Sequence, residues 1–143
     1  MSVRSGCTYI LVNGKAESSV LDLSGTDGKN IIGWNDNGGD NQKWHLEQVE
    51  GEHWTFRNRA TGKYLGFEGP PRDGTPLVGV DYPVEWDIYP DNNDRNLHRV
   101  YVPRAPTAMN IDLSDHGNPN NGTPVTLWGK WEGKNQTWNF VQV

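Results

Sequence analysis

The sequence predicts an all-β fold built from three repeats of four strands. Three observations predict it. Short β-branched and aromatic runs recur between turn residues along all 143 positions, punctuated by 17 glycines and 9 prolines. No helical pattern competes, because the longest stretch free of Gly and Pro, Asp91 to Val102, ends in Leu97-His98-Arg99-Val100-Tyr101-Val102, which itself reads as a strand. Finally, the sequence matches itself at a nearly fixed interval.

The elements follow in order. In the first repeat the strands are Thr8–Val12, Val20–Leu23, Ile31–Trp34 and Trp44–Gln48. In the second they are Trp54–Asn58, Lys63–Phe67, Leu77–Val80 and Trp86–Tyr89, and in the third Leu97–Val102, Met109–Leu113, Val125–Trp128 and Trp138–Val141. The self-match aligns Val20-Leu21-Asp22-Leu23-Ser24 with Asn110-Ile111-Asp112-Leu113-Ser114, and Ile31-Ile32-Gly33-Trp34 with Val125-Thr126-Leu127-Trp128. A weaker copy, Tyr64-Leu65-Gly66-Phe67 then Leu77-Val78-Gly79-Val80, lies between them. The anchors Asp22, Gly66 and Asp112 are spaced by 44 and 46 residues. Three copies of four strands is the count of a β-trefoil. A propeller would need at least about four blades, and a closed trefoil leaves no bare strand edges. The expected arrangement is a single β-trefoil domain over 1–143 with pseudo-threefold symmetry and repeats at roughly 7–50, 51–95 and 96–143.

Composition excludes several classes of function. The net charge of −5 leaves no basic footprint for nucleic acid. No run approaches the ~18 apolar residues of a membrane span, so membrane insertion is not expected. Cys7 is the only cysteine, which rules out an intrachain disulfide and a zinc site built on several thiolates. The four histidines have no metal-ligand spacing, so neither a metal nor a cofactor is expected. The terminus MSVRSGCTYILVNGK lacks the apolar run of a signal peptide. Together with the lone thiol, that points to a reducing, cytoplasmic location.

Two repeats carry one constellation in one order. Asp22 precedes a Ser24-Gly25 turn, Trp34 ends the next strand, and Asn41-Gln42 follow an Asn/Asp/Gly loop. Asp112, Trp128 and Asn135-Gln136 repeat the set. A shallow sugar site needs these groups: an aromatic face for the C–H face of a pyranose, a carboxylate to accept from two neighbouring hydroxyls, and an amide beside them. Taken singly, each Asp reads as turn chemistry, but recurrence in register with Trp and Asn favours a site. Trp44, Trp86 and Trp138 recur in all three repeats and read as core. Gln42 and Gln136 divide evenly between a supporting hydrogen bond and a ligand contact. Trp131 reads equally as a second aromatic wall, a surface residue or a dimer contact. The middle repeat has Gly66, Val80 and Pro83-Val84 at the corresponding positions and is expected to hold no site of this type. The loops carrying Asn41 and Asn135 are expected to differ in length, so the two sites need not share one specificity. Asn121-Gly122-Thr123 and Asn135-Gln136-Thr137 match the glycosylation pattern, with no modification expected in a cytoplasmic chain.

Three repeats ending in Gln42-Lys43-Trp44, the degraded Val84-Glu85-Trp86 and Gln136-Thr137-Trp138 resemble the ricin-B-type lectin family over nearly the whole chain. Without disulfides, the chain is similar to the fungal agglutinins of that family, such as the Rhizoctonia solani and Marasmius types. The resemblance implies a non-enzymatic agglutinin for galactose or N-acetylgalactosamine on glycoproteins or glycolipids, acting as a homodimer. By resemblance, Asp22 and Asp112 hold adjacent hydroxyls, Trp34 and Trp128 stack, Asn41 and Asn135 complete the contacts, and Gly25, Gln42 and Gln136 belong to the same sites. The alternatives are a trefoil protease inhibitor acting through surface loops, which has no need of matched Asp–Trp–Asn–Gln sets, and a sugar-binding module of a glycosidase.

Overall fold

A computed structural model describes residues 3–143. Met1 and Ser2, the start of the terminal segment read above for a signal peptide, lie outside the described residues. The strands are β1 (Thr8–Asn13), β2 (Ser19–Leu23), β3 (Ile31–Asn35), β4 (Trp44–Val49), β5 (His53–Asn58), β6 (Tyr64–Phe67), β7 (Leu77–Val80), β8 (Asp87–Pro90), β9 (His98–Tyr101), β10 (Met109–Leu113), β11 (Val125–Gly129) and β12 (Trp138–Gln142). Each expected run forms a strand. The bounds shift by one or two residues where a turn residue completes the ladder or a strand end leaves it; Trp86, expected inside a strand, instead precedes β8.

All pairing is antiparallel, and six strands close a ring. β1 pairs with β4, β4 with β5, β8 with β9, β9 with β12, and β12 with β1. The bridge between Trp54 and Trp86 joins β5 to the entry of β8 and completes the circuit. The other six strands form hairpins β2–β3, β6–β7 and β10–β11, which cover one end of the barrel. These hairpins touch through bridges Asn30–Val78, Ile32–Pro124 and Pro76–Thr126, so each contacts both of the others. This is the β-trefoil.

The core repeats with the chain. Trp44, Trp86 and Trp138 are fully buried, and their indole N–H groups donate to the carbonyls of Leu21, Leu65 and Ile111 at 3.0, 3.0 and 3.5 Å. Each tryptophan therefore ties its repeat's last strand to that repeat's hairpin, and a buried N–H that would otherwise be orphaned is satisfied. Leu11, Phe56 and Val100 from the ring strands and Leu23, Ile31, Leu77, Leu113 and Val125 from the hairpin strands belong to one buried apolar core. Cys7 is half-buried and packs against this core as a small apolar group.

The repeats also interlock. Gly33 N–H donates to Thr123 of the third repeat, Leu127 N–H to Thr75 of the second, and Gly79 N–H to Lys29 of the first, at 2.7–2.8 Å. Each β-hairpin is thus bordered by the loop of a neighbouring repeat.

Candidate sugar-binding site

Strand register places the site residues. Asp22 faces Ile32 and Val20 faces Trp34, so the period of two puts Asp22 and Trp34 on one face of the β2–β3 hairpin. Asp112 faces Thr126 and Asn110 faces Trp128, giving the same arrangement on β10–β11. The single-turn 3-10 helices Asp40–Gln42 and Lys134–Gln136 bring the amides back to those faces.

The carboxylates and amides then form one frame twice. Gln42 Nε2 donates to Asp22 Oδ2 at 2.9 Å, and Gln136 Nε2 donates to Asp112 Oδ2 at 2.9 Å. The same nitrogens reach the carbonyls of Asn35 and Gly129 at 2.8 and 3.0 Å. The Gln Oε1 atoms accept from the backbone N–H of Asn37 and Trp131 at 3.0 and 3.1 Å. Both glutamines are fully buried, and both donors of each amide are spent on the aspartate and a backbone carbonyl, the geometry of a group that holds the aspartate in place. That bond uses one carboxylate oxygen and leaves the other for an incoming hydroxyl. Asn41 and Asn135 donate to the carbonyls of Leu23 and Leu113 at 3.2 and 3.1 Å. Asn135 Oδ1 is buried and has no partner, while the residue itself lines the cleft. A buried carbonyl left this way calls for a donor from a ligand or water.

Trp34, Trp128 and Trp131 are 38%, 43% and 43% exposed, and the other four tryptophans are buried. Every exposed tryptophan therefore stands at one of the two sites. Burial raises the pKa of both Asp22 and Asp112. Hydrogen bonds from the Gln42 and Asn41 amides oppose the shift at Asp22; those from Gln136 and Asn135, with the charge of His116, oppose it at Asp112.

The third-repeat site is a cleft of about 560 Å³, lined by Asp112, Asn135, Trp128, Trp131, His116 and Asp73 among others. Gly25 sits in the exposed loop after β2, with nothing near its Cβ direction and no bond to the carboxylate–amide frame; Asp115 occupies the corresponding place in the third repeat. The expectation about loop length needs correction. The interval from Trp34 to Asn41 equals that from Trp128 to Asn135; the difference lies in the β10–β11 connection, four residues longer than that of β2–β3. The extra chain forms the turn Ser114–Gly117, where Asp115 and His116 adopt left-handed φ of 54° and 53°.

In the middle repeat a Cβ on Gly66 would lie 2.8 Å from Val80 Cγ2 and 2.9 Å from Val84 Cγ2. The valines that replace Trp and Gln fill the volume where the carboxylate stands elsewhere.

Sequence reasoning missed two groups. Asp73 Oδ1 accepts from Gly129 N–H at 2.7 Å, and Asn121 Oδ1 accepts from Asn35 N–H at 2.8 Å, so each site is bordered by the preceding repeat in the ring. The signal was the related pair of tetrapeptides Asp73-Gly74-Thr75-Pro76 and Asn121-Gly122-Thr123-Pro124, of which only the second is read above, as a glycosylation pattern. The second group is buried. Arg99 Nη1 donates to Gln136 Oε1 at 2.9 Å and to Asn110 at 3.1 Å, while its Nε pairs with Asp91 at 2.8 Å. Register equates Arg99 with Ile10, because His98 faces Trp138 as Tyr9 faces Trp44, so the first site has no such support.

A closed trefoil that offers a braced carboxylate and an open indole in two of its three copies is a carbohydrate-binding β-trefoil. The ricin-type β-trefoil lectin domain-like family model matches residues 2–80, and the chain belongs to that family. The ricin B-like lectin of Macrolepiota procera, solved in complex with lactose, is 45% identical with a TM-score of 0.95, the match covering 100% of both chains. The Rhizoctonia solani agglutinin is 30% identical over 100% of this chain and 99% of its own, with a TM-score of 0.87. The designed threefold-symmetric protein ThreeFoil, 23% identical over 95% of this chain and 99% of its own, shares the fold at a TM-score of 0.85. Comparison with curated protein sequences gives no significant match.

Proposed function

We propose that this lectin binds terminal galactose or N-acetylgalactosamine through two sites, built on Asp22–Trp34–Asn41 and Asp112–Trp128–Asn135, and that it acts without catalysis. The observation that carries this reading is the repeated frame: a buried aspartate braced by a buried glutamine at 2.9 Å, beside an exposed tryptophan, in the first and third repeats. The axial hydroxyl of galactose leaves a continuous C–H face that an indole covers while the carboxylate accepts from adjacent hydroxyls. The lactose bound to the Macrolepiota procera relative is itself a galactoside. The filled volume at Gly66 supports two sites rather than three. Titration calorimetry with galactose and N-acetylgalactosamine is expected to give two sites per chain. A stoichiometry of three, or binding of glucose and mannose but not galactose, overturns the reading. A homodimer presenting four sites and a cytoplasmic location belong to the same proposal. Sedimentation at the mass of one chain overturns the dimer, and a secreted native protein overturns the location.

A further inference from the structure

The two sites share one frame but differ in what surrounds it. Position 131 is a tryptophan where the first repeat has Asn37, although both residues give the same backbone N–H to the framing glutamine. The Trp131 ring is fixed in place. It lies across Gly133, where a Cβ would come within 2.3 and 2.4 Å of indole carbons, and its ring meets His116 edge-on at 5.9 Å and 86°. His116 is carried there by the left-handed turn Ser114–Gly117 of the longer connection. Despite these contacts Trp131 stays 43% exposed. An immobilised aromatic face left to water is a stacking platform whose covering by a ligand is favourable and costs little further ordering.

The polar border differs as well. Asp73 and Asp115 line the third-repeat cleft, where the first repeat has Asn121 and Gly25. Carboxylates accept from sugar hydroxyls more strongly than an amide does, and a glycine has no side chain to accept at all. The cleft volume of about 560 Å³ lies inside the range of about 300–1,000 Å³ that encloses ligands larger than one ring.

We infer that the third-repeat cleft takes a neutral galactoside of two rings, the terminal ring on Trp128 with Asp112 and the second ring on Trp131 with Asp73 and Asp115, whereas the first-repeat site takes the terminal ring alone. This inference rests on the galactoside reading above. Three carboxylates in one cleft also set it against sialylated or sulfated second units.

Calorimetry with methyl β-galactoside and lactose on single-site variants tests it. Asp22→Ala, which leaves the third-repeat site, is expected to bind lactose at least about ten times more tightly than the monosaccharide, a difference of about 1.4 kcal/mol. Asp112→Ala, which leaves the first site, is expected to show a ratio near one. Adding Trp131→Asn, the residue the first repeat already carries within the same frame, to Asp22→Ala is expected to bring the ratio to near one with an unchanged melting profile. A ratio near one in Asp22→Ala, or a preference that survives Trp131→Asn, overturns the two-ring cleft while the galactoside reading stands. Failure of the wild-type protein to bind either sugar overturns both.

Discussion

Asp22 and Asp112 work against the stability of the fold. Only 2% and 6% exposed, each carries a pKa raised by burial. A carboxyl whose folded pKa lies above its unfolded value binds protons more readily in the folded state. The contribution of these two groups to stability is therefore greatest below the ordinary value of 3.8 and falls as pH rises through the raised value, remaining lower at neutrality. Asp112→Asn removes the buried charge yet keeps an oxygen for Gln136. Its melting temperature is expected to exceed that of the wild type at pH 7, with the gap closing at low pH, while third-site sugar binding disappears because the amide nitrogen cannot accept a hydroxyl. Thermal melts across pH check the sign, and a variant less stable than wild type at pH 7 contradicts it. Sugar affinity is also expected to weaken on acidification before pH reaches the usual aspartate range, since the protonated form accepts poorly. Calorimetry between neutrality and pH 4 measures that onset.

Among elements, β9 matters most to the third site. Arg99, 3% exposed, joins Asp91 to Gln136 and so to Asp112. Asp91 titrates in the opposite sense: burial alone would raise its pKa, but Arg99 and the backbone N–H groups of Asp94 and Asn93 hold it below the usual value. Its stabilisation is present above that usual value and lost as pH falls through the depressed one. Arg99→Met is expected to cost about 3–5 kcal/mol by stranding Asp91 and to weaken the third site only. Denaturant unfolding and single-site titration check the two parts. Adding Asp91→Asn, which keeps an acceptor for the loop N–H groups, is expected to restore part of the stability. The strands around this network were legible because each alternates in side-chain period and stops at Gly, Pro or Asn. The network was not. His98-Arg99-Val100-Tyr101 looks like any half-exposed strand, and its burial depends on partners at Asp91 and Gln136 that only folding brings near. The Asp–Trp–Asn–Gln sets were readable because they recur. The support role of Gln42 and Gln136 needed their burial, and the fixing of Trp131 needed the closeness of Gly133 and His116. The corrected loop length shows the same limit: the divergence lay in the β10–β11 connection, where the left-handed turn formed by Asp115 and His116 has no obvious signature in sequence.

In the whole molecule, affinity and function separate. A site of one stacked ring and a few solvent-competed hydrogen bonds that bound with a dissociation constant of about 1 mM would gain only ~4 kcal/mol. The two proposed sites lie in different repeats of one barrel, so they are expected to bridge separate glycans rather than converge on one small glycan, and simultaneous engagement of this kind raises apparent affinity by roughly 10²–10⁴. Asp22→Ala and Asp112→Ala are each expected to keep monosaccharide binding at the remaining site and to lower haemagglutination sharply, with the double variant folded and inert. Agglutination by the double variant would place the active surface elsewhere. The interlocking of the repeats gives the middle one a further significance. Its own carboxylate position is Gly66, yet its loop delivers Asp73 to the third-repeat cleft and its Thr75 carbonyl anchors Leu127. A copy with no carboxylate of its own at that position thereby still contributes to its neighbour's cleft. In a library of random substitutions, the segment from Asp73 to Pro76 should tolerate fewer changes than Pro83-Val84 once selection is for third-site binding, so that a vestige by its chemistry is a tenant by its position.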